Sequence, residues 1–256
     1  MGEGMAAHRL QVAVITGEHP FDVPGFHRFL AALPTLECFV QDLDNFAWDA
    51  TAARARYDVL LFFNYHWGTP GSEGGWWQRK RAGVLETLGE TPQGIFVLHH
   101  ALAAFPRWPV WSELVGIPHA ARTYPPDIAH VLGQLHFDQT IPIAIADPAH
   151  PITRGLAPWD LRGETWGALV GEPGPDNHIL LRTHHPRMQL TAMAWTRRFR
   201  RAPVFCLHPG HDADTWDDPH FRIVVERACH WLAAQPAATV DMPRSAGRSG
   251  AEAWRA

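Results

Sequence analysis

The sequence predicts an α/β fold with a mostly parallel, doubly wound sheet and an antiparallel extension. In the first 115 residues, apolar runs alternate four times with segments whose apolar residues have helical spacing, a pattern typical of βαβ units. After about residue 130, apolar runs follow one another directly, which indicates antiparallel strands. The composition, 46% hydrophobic and 19% charged, is that of a chain with an ordinary core rather than a disordered one.

The first half of the chain contributes four predicted strands and four predicted helices. The strands cover residues 10–16, 38–43, 57–64 and 94–98, and the helices cover residues 24–33, 48–56, 76–88 and 101–115. Asp22 is placed to cap the first helix, with Pro24 in its first turn. Gly89 ends the third helix, and Pro106 and Pro109 interrupt the fourth.

The second half is predicted to be rich in strands and to end in a helix. Two strands are expected within residues 130–145, and others over residues 164–170, 179–183, 189–196 and 203–208, before a helix over residues 221–234. We expect a flexible N-terminus over residues 1–8, one domain over residues 9–235 and a disordered tail over residues 236–256.

Charge and hydropathy narrow the possible partners. A formal net charge of −4 argues against binding to nucleic acid or to an anionic membrane. No uncharged apolar run approaches the ~20 residues that span a bilayer, and the apolar stretch 10–15 is too short for a signal peptide. We therefore expect a soluble, cytoplasmic protein. Cys38, Cys206 and Cys229 are too far apart in sequence to suggest a disulfide framework or a zinc motif.

Histidines follow three of the four predicted parallel strands, where ligands of doubly wound sheets bind. The polar residues at these ends include Gly17-Glu18-His19, Asn64-Tyr65-His66-Trp67 and His99-His100. His99 and His100 occupy the strand–turn–helix position at which many α/β enzymes hold a nucleophile. The turn has neither Ser nor Cys, and a histidine near a helix N-terminus favours its neutral form, which suits a general base or a metal ligand.

Further candidates lie in the second half of the chain. Gly210 would let the backbone come close to a ligand that His211 then reaches, while Asp212 would orient His211 or cap the next helix. Glu164 would pair with a histidine as acid or base, although it could equally be a solvated edge-strand residue. Several tryptophans could stack on sugar rings or simply fill the core, namely Trp67, Trp111, Trp166 and Trp195.

The sequence bears on two kinds of cofactor. The histidines and carboxylates at the strand ends could form a divalent metal site, such as a three-ligand zinc site, although their spacing matches no known zinc motif. No nucleotide cofactor is expected, because no GxGxxG follows the first strand and the Gly-rich residues 71–75 lack the GKS/T ending of a phosphate loop.

Several segments, taken in order, resemble the ThuA-like family, which is associated with trehalose utilisation. The segments are 14–22 (VITGEHPFD), 94–102 (GIFVLHHAL), 108–116 (WPVWSELVG), 150–156 (HPITRGL), 164–167 (ETWG), 193–197 (MAWTR) and 204–216 (VFCLHPGHDADTW). The resemblance covers about residues 10–234. It implies a flavodoxin-like fold similar to class I glutamine amidotransferases, but His99 and His100 stand where those enzymes carry a cysteine nucleophile. A Cys-dependent glutaminase is therefore not expected.

The resemblance also implies a role in carbohydrate metabolism and a set of site residues. By motif match, the catalytic candidates are His100, Glu164 and His211, and the substrate-binding candidates are His19, His99, Trp111, Trp166 and Trp195. The sequence departs from the family pattern at 200–202 and 207–209, which affects the predicted shape of those loops.

Three functions stay open at this point. The first is a hydrolase, lyase or isomerase that acts on a disaccharide or keto-sugar by His/Glu acid–base chemistry. The second is a metal-dependent hydrolase or isomerase that uses the same histidines. The third is a non-catalytic sugar-binding or interaction protein. The expected partner is a small-molecule carbohydrate, and a homodimer is compatible with the sequence.

Overall fold

Nine strands of the described chain form one sheet, whose two halves differ in strand direction. The computed structural model describes residues 9–235 except 72–73, 123–130, 132 and 168–169, so the predicted N-terminus 1–8 and tail 236–256 lie outside the described residues. The strands are β1 (Leu10–Gly17), β2 (Leu36–Asp42), β3 (Val59–Asn64), β4 (Gly94–Leu98), β5 (Leu135–Ile145), β6 (Trp159–Trp166), β7 (His178–Arg182), β8 (Ala192–Phe199) and β9 (Ala202–Leu207).

The strand order is β2-β1-β3-β4-β9-β8-β7-β5-β6. Neighbours from β2 to β9 are parallel, and neighbours from β9 to β6 are antiparallel. The sequence predicts a mostly parallel sheet, and this part of the prediction is wrong, because the described sheet has as many antiparallel strand pairs as parallel ones. The cause is β9, which pairs in parallel with β4 through Val204 and in antiparallel fashion with β8 through Cys206.

Helices cover both faces of the parallel half. They are α1 (Val23–Ala31), α2 (Leu43–Trp48), α3 (Thr51–Arg54), α4 (Trp76–Glu86), α5 (Pro109–Val115), α6 (Ala213–Trp216) and α7 (Pro219–Ala234), with 3₁₀ helices at His99–Ala103 and His119–Ala121. The first predicted helix is confirmed with its cap, because the Asp22 carboxylate accepts a hydrogen bond from Gly25 N at 3.0 Å.

One predicted helix is wrong, and another differs from the structure although its predicted interruption near Pro109 is confirmed. The segment 48–56 does not form one helix, because Asp42 ends β2 and caps α2, so that Trp48 is the last residue of that helix. The segment 101–115 forms a 3₁₀ turn and then α5, because Pro109, which has no N–H to donate, takes a place in the first turn of a new helix.

Two predicted strands also differ from the structure. In place of two strands within 130–145, the described part of that segment forms the single strand β5, whose pairing with β6 shifts between His136 and Gln139. Asp138 lies at this irregularity and has φ 55, a left-handed backbone conformation. The strand predicted over 164–170 is β6, which begins at Trp159 and ends at Trp166.

Alternate residues of the parallel strands build two cores, one on each face of the sheet. Phe62 of β3 faces α5, and its ring centroid lies 5.2 Å from that of Trp111. Phe63 faces α1, and its ring stacks on Phe26 at 4.5 Å. Within the described residues, no helix has both the length and the apolar character needed to cross a bilayer.

Candidate functional site

Four side chains of types that can ligate a metal ion meet at the carboxyl edge of the sheet: His99, His100, Glu164 and His211. One ligand atom from each lies within 4.8 Å of all the others. Glu164 is at the centre, with Oε1 3.8 Å from His99 Nε2 and 3.5 Å from His100 Nε2, and with Oε2 3.1 Å from His211 Nδ1. We call these four residues the His/Glu cluster.

The turn after β4 is sharp and sets the direction of His99. His99 has φ 54, a left-handed backbone conformation that costs a non-glycine residue roughly 1–2 kcal/mol. Its Nδ1 donates a hydrogen bond to the backbone carbonyl of His208 at 2.8 Å. Because a carbonyl only accepts, Nδ1 carries the proton and Nε2 presents a lone pair to the cluster.

His211 reaches the cluster because a glycine precedes it. Gly210 has φ 142, and a Cβ there would lie 3.0 Å from the Leu98 side chain and 3.2 Å from His99 Cβ. The backbone at Gly210 therefore lies against the end of β4 and the turn after it, while its predicted approach to a ligand stays a prediction. Of the two roles considered for Asp212, the structure shows capping, since its carboxylate accepts from Thr215 N at 3.2 Å.

Glu164 comes from β6, the outermost strand of the antiparallel half. Thr215 Oγ1 in α6 donates to the carbonyl of Arg162 at 2.9 Å, which fixes β6 beside the loop that carries His211. Trp166, two residues after Glu164 on the same strand, donates its indole N–H to Glu164 Oε1. The Trp166 ring also stacks on His100, with centroids 5.4 Å apart and planes 11° apart. Glu164 is thus a buried, oriented carboxyl group rather than a solvated edge residue.

Burial keeps the His/Glu cluster uncharged. Burial raises the pKa of Glu164 to about 8, although the hydrogen bond from Trp166 opposes this rise. Burial lowers the pKa values of His99 and His100 well below the usual value, and repulsion from neighbouring histidines lowers them further. Burial also lowers the pKa of His211, against the attraction of Asp212. At neutral pH the imidazoles are therefore neutral and able to donate lone pairs.

The donor atoms of the cluster fit a divalent transition-metal ion. Among the described residues, His99 Nε2, His100 Nδ1, Glu164 Oε2 and His211 Nδ1 are buried without a hydrogen-bond partner. Unpaired buried polar atoms are unfavourable, and one ligand atom from each of these four residues lies within 4.8 Å of the others, so the cluster suggests a shared ligand. Ligand atoms at roughly 2.1 Å from one tetrahedral ion lie about 3.4 Å from each other, and the Glu164 carboxylate oxygens lie 3.8, 3.5 and 3.1 Å from nitrogens of His99, His100 and His211.

The other sequence-predicted residues fall into two groups. His19 joins the site, since its ring centroid lies 4.0 Å from that of His100 and burial lowers its pKa to about 4. Trp111 and Trp195 do not reach it. Both are fully buried, and their indole N–H groups donate to the backbone carbonyls of Ala101 and Val115. They brace the core and offer no face to a sugar, contrary to the sequence-based expectation.

Sequence reasoning did not select three residues that surround the cluster. Tyr65 lies 5.3 Å from His100 between ring centroids, and its place in the Asn64–Trp67 strand end was the signal available. The buried His208 ring lies 4.4 Å from Trp166. Phe137 is 45% exposed with its ring 5.1 Å from His211, and nothing in the sequence indicated it because it lies in the irregular part of β5.

A cavity of about 540 Å³ lies at the opposite edge of the sheet, beside Asp58 and Gln93. These residues directly precede β3 and β4, so the cavity is at the amino ends of the strands. Since ligands of open α/β sheets bind at the carboxyl ends, we take the His/Glu cluster as the candidate functional site.

Comparison with known families gives one match. The model of the ThuA family, described as trehalose utilisation, matches residues 33–232. Comparison with curated protein sequences gives no match.

Solved structures share the fold at low sequence identity. A ThuA-like protein from Parabacteroides merdae is 16% identical, with a TM-score of 0.66 over 92% of this chain and 94% of that one. A cytoplasmic protein from Salmonella typhimurium is 10% identical, with a TM-score of 0.58 over 87% and 99% of the two chains. PurLQS from Thermotoga maritima is 11% identical, with a TM-score of 0.52 over 88% and 99%. These likenesses extend along nearly the whole described chain and concern the fold alone.

Proposed function

Because this chain belongs to the ThuA family, whose members are described by trehalose utilisation, we propose that it is a metal-dependent enzyme acting on a carbohydrate. The family indicates a carbohydrate-related function. One observation supports the metal, namely the convergence of four side chains in the His/Glu cluster, each of which has a buried polar atom without a hydrogen-bond partner among the described residues. The partner we propose is a small-molecule carbohydrate, while the cytoplasmic location and the homodimer stay predictions.

The cluster residues would hold zinc, manganese or iron through three imidazole nitrogens and one carboxylate oxygen. A bound ion of this kind would supply Lewis-acid polarisation of a sugar carbonyl or hydroxyl oxygen. Around it, the His208 carbonyl orients His99 and the Trp166 indole orients Glu164. Such supporting hydrogen bonds are typical of metal sites, because they fix the tautomer and direction of each ligand.

The remaining groups suit the handling of a sugar. His19 lies beside His100 but outside the four-residue cluster, and its buried Nδ1 has no partner among the described residues. Its neutral imidazole can accept a proton from a carbon next to a sugar ketone. Phe137 offers an exposed ring beside His211 for the apolar face of a pyranose.

A second candidate is the same chemistry without a metal. The observation that favours it is the pKa of Glu164, which burial raises to about 8, close to the value that suits a general acid at neutral pH. His211 Nδ1, 3.1 Å from Glu164 Oε2, is placed to accept a hydrogen bond from that protonated carboxyl group and so to hold it in position. The two candidates differ in metal content.

The test is the metal content of protein purified without a histidine tag. We expect about one equivalent of zinc, manganese or iron per chain, lost in His211→Ala. His211 is the most exposed cluster residue, so this change threatens folding least. The matched control is His27→Ala, an exposed histidine of α1, which should keep the metal. Less than about a tenth of an equivalent, even after incubation with zinc, would favour the metal-free mechanism.

Catalysis is tested with a 3-keto-disaccharide in deuterated water. Exchange of the hydrogens next to the ketone, followed by NMR, reports proton abstraction directly. We expect exchange with the wild type and none with His19→Ala. Binding of the sugar without exchange or product formation in the wild type would indicate the non-catalytic, sugar-binding alternative.

A further inference from the structure

A second polar site lies beside the His/Glu cluster, in the crevice between β1 and β3. The chain passes from β1 to β2 on one side and reaches β3 on the other, so this is the point of the sheet where the strand order reverses. Such crevices bind ligands in doubly wound folds. Glu18, after β1, and His66, after β3, face each other across it.

His66 is held in one orientation, and its Nε2–H is available as a hydrogen-bond donor. Its side chain is 5% exposed, and its ring stacks on Phe105 with planes 16° apart. Asn64 Nδ2 donates to His66 Nδ1 at 3.0 Å, so the ring proton lies on Nε2. Among the described residues Nε2 has no hydrogen-bond partner, and the Glu18 carboxylate oxygen Oε1 is 3.9 Å away.

Glu18 is brought to this position by unusual backbone. It has φ 50, and Gly17 before it has φ 142, where a Cβ would lie 2.5 Å from His66 Cε1. Glu18 Oε2 accepts from Trp67 N at 3.3 Å, while the side chain stays 52% exposed. Strained backbone at a non-glycine residue commonly marks a functional position, and here it aims a half-exposed carboxylate at a buried donor.

We propose that Glu18 and His66 form a hydroxyl-binding subsite for a sugar unit next to the one held at the His/Glu cluster. The proposal rests on the carbohydrate function proposed above. A separation of 3.9 Å is too long for a direct hydrogen bond. It suits one hydroxyl group between the two, which accepts from His66 Nε2–H and donates to Glu18 Oε1.

The position and charge of the subsite specify the ligand. Glu18 directly precedes His19 in the chain, and His66 directly follows Tyr65. The rings of His19 and Tyr65 both lie against His100. The two sites are therefore neighbours, as adjacent units of a disaccharide or glycoside require.

The charges around His66 bear on the kind of sugar that the subsite would bind. Besides Glu18, His66 is influenced by the carboxylates of Asp42 at the end of β2 and Asp44 in α2, and by the guanidinium of Arg81 in α4. The three carboxylates, of Glu18, Asp42 and Asp44, outnumber the one cation, so this subsite would disfavour a phosphorylated sugar and favour a neutral one.

The experiment compares trehalose with glucose by ligand-observed NMR titration. We expect Glu18→Ala to weaken trehalose binding about tenfold, because a hydrogen bond to a charged group is lost, and to leave glucose binding and metal content unchanged. Glu18→Gln, which keeps the shape of the side chain, should weaken trehalose binding less. The matched control is Glu86→Ala, an exposed carboxylate of α4, which should bind both sugars like the wild type.

The outcomes separate the two proposals. Trehalose binding within twofold of the wild type in both Glu18 variants would overturn the subsite alone, and so would an equal loss for both sugars. A wild type that binds neither sugar would overturn the subsite, and the carbohydrate function would be overturned with it if the 3-keto-disaccharide also showed neither binding nor exchange.

Discussion

At the scale of single residues, Trp166 organises the His/Glu cluster without belonging to it. Its indole N–H donates to Glu164, one face stacks on His100, and its ring also contacts His99 and His208. The hydrogen bond lowers the pKa of Glu164 against the effect of burial. Trp166 is therefore a positioning residue, since it keeps the carboxylate oriented and easier to ionise.

Trp166→Phe should weaken zinc binding roughly 10- to 100-fold, because the change keeps the ring but removes the hydrogen bond that orients a ligand. The dissociation constant is measured by competition with a chromogenic chelator. The control is Trp111→Phe, which removes an equally buried indole donor away from the site. It should reduce stability and leave zinc binding unchanged. Equal zinc affinities in wild type and Trp166→Phe would contradict the assigned role.

At the scale of elements, the contact between β4 and α7 depends on one glycine. A Cβ on Gly94 would lie 2.7 Å from Leu232 Cβ, closer than real Cβ contacts allow, and 3.4 Å from the Leu232 Cα. Since the far side of this contact is a helix backbone, it cannot give way easily. Close packing of α7 on the start of β4 holds the strand whose other end carries His99 and His100.

Gly94→Ala should lower the free energy of unfolding by about 1–3 kcal/mol, through overpacking against α7. Gly83→Ala is the matched control, because Gly83 lies within α4 and a Cβ added there would meet no described atom within 4 Å outside the helix's own backbone. It should raise the free energy of unfolding by about 0.5–1 kcal/mol, since alanine is the better helix former. Urea denaturation measures both, and a neutral Gly94→Ala would disprove the tight contact.

At the scale of the whole molecule, the buried histidines make folding depend on pH. Burial lowers the pKa of His19 to about 4 and that of His208 to about 3, and the pKa values of His99 and His100 lie well below 6.5. In the unfolded chain these groups bind protons below pH 6.5, while in the folded chain they stay neutral. Glu164 acts in the opposite sense, since it keeps its proton up to about pH 8 when folded and loses it near 4.5 when unfolded.

The metal-free protein should therefore be most stable near pH 6.5. Its free energy of unfolding falls steeply as the pH is lowered from 6.5 toward 4, because the effect of several histidines exceeds the opposite effect of Glu164. It falls gently as the pH is raised from 6.5 to 8, where Glu164 alone contributes. Urea denaturation in the presence of a chelator at several pH values measures this. His208→Leu should reduce the acid slope by about one proton. A constant stability between pH 4 and 6.5 would refute the prediction.

The local features of the fold could be predicted from the sequence, while several boundaries could not. Strands such as β4 are continuous apolar runs bounded by turn residues, and the predicted bounds Gly94–Leu98 are confirmed. The helix predicted over 48–56 failed, because the cap of α2 formed by Asp42 shifts its start to Leu43. The residues of the segment 48–56 themselves carry no information about that competing cap.

The sequence by itself determined that histidines follow the parallel strands, because a polar residue after a buried run must lie at a strand end. Only the tertiary structure decided which side chains meet there. Glu164 reaches His99 and His100 because its strand, β6, is fixed beside α6. Trp195 is buried in the core because its strand, β8, pairs with β9. These placements depend on contacts between residues far apart in the chain, and local apolar patterns do not encode such pairings.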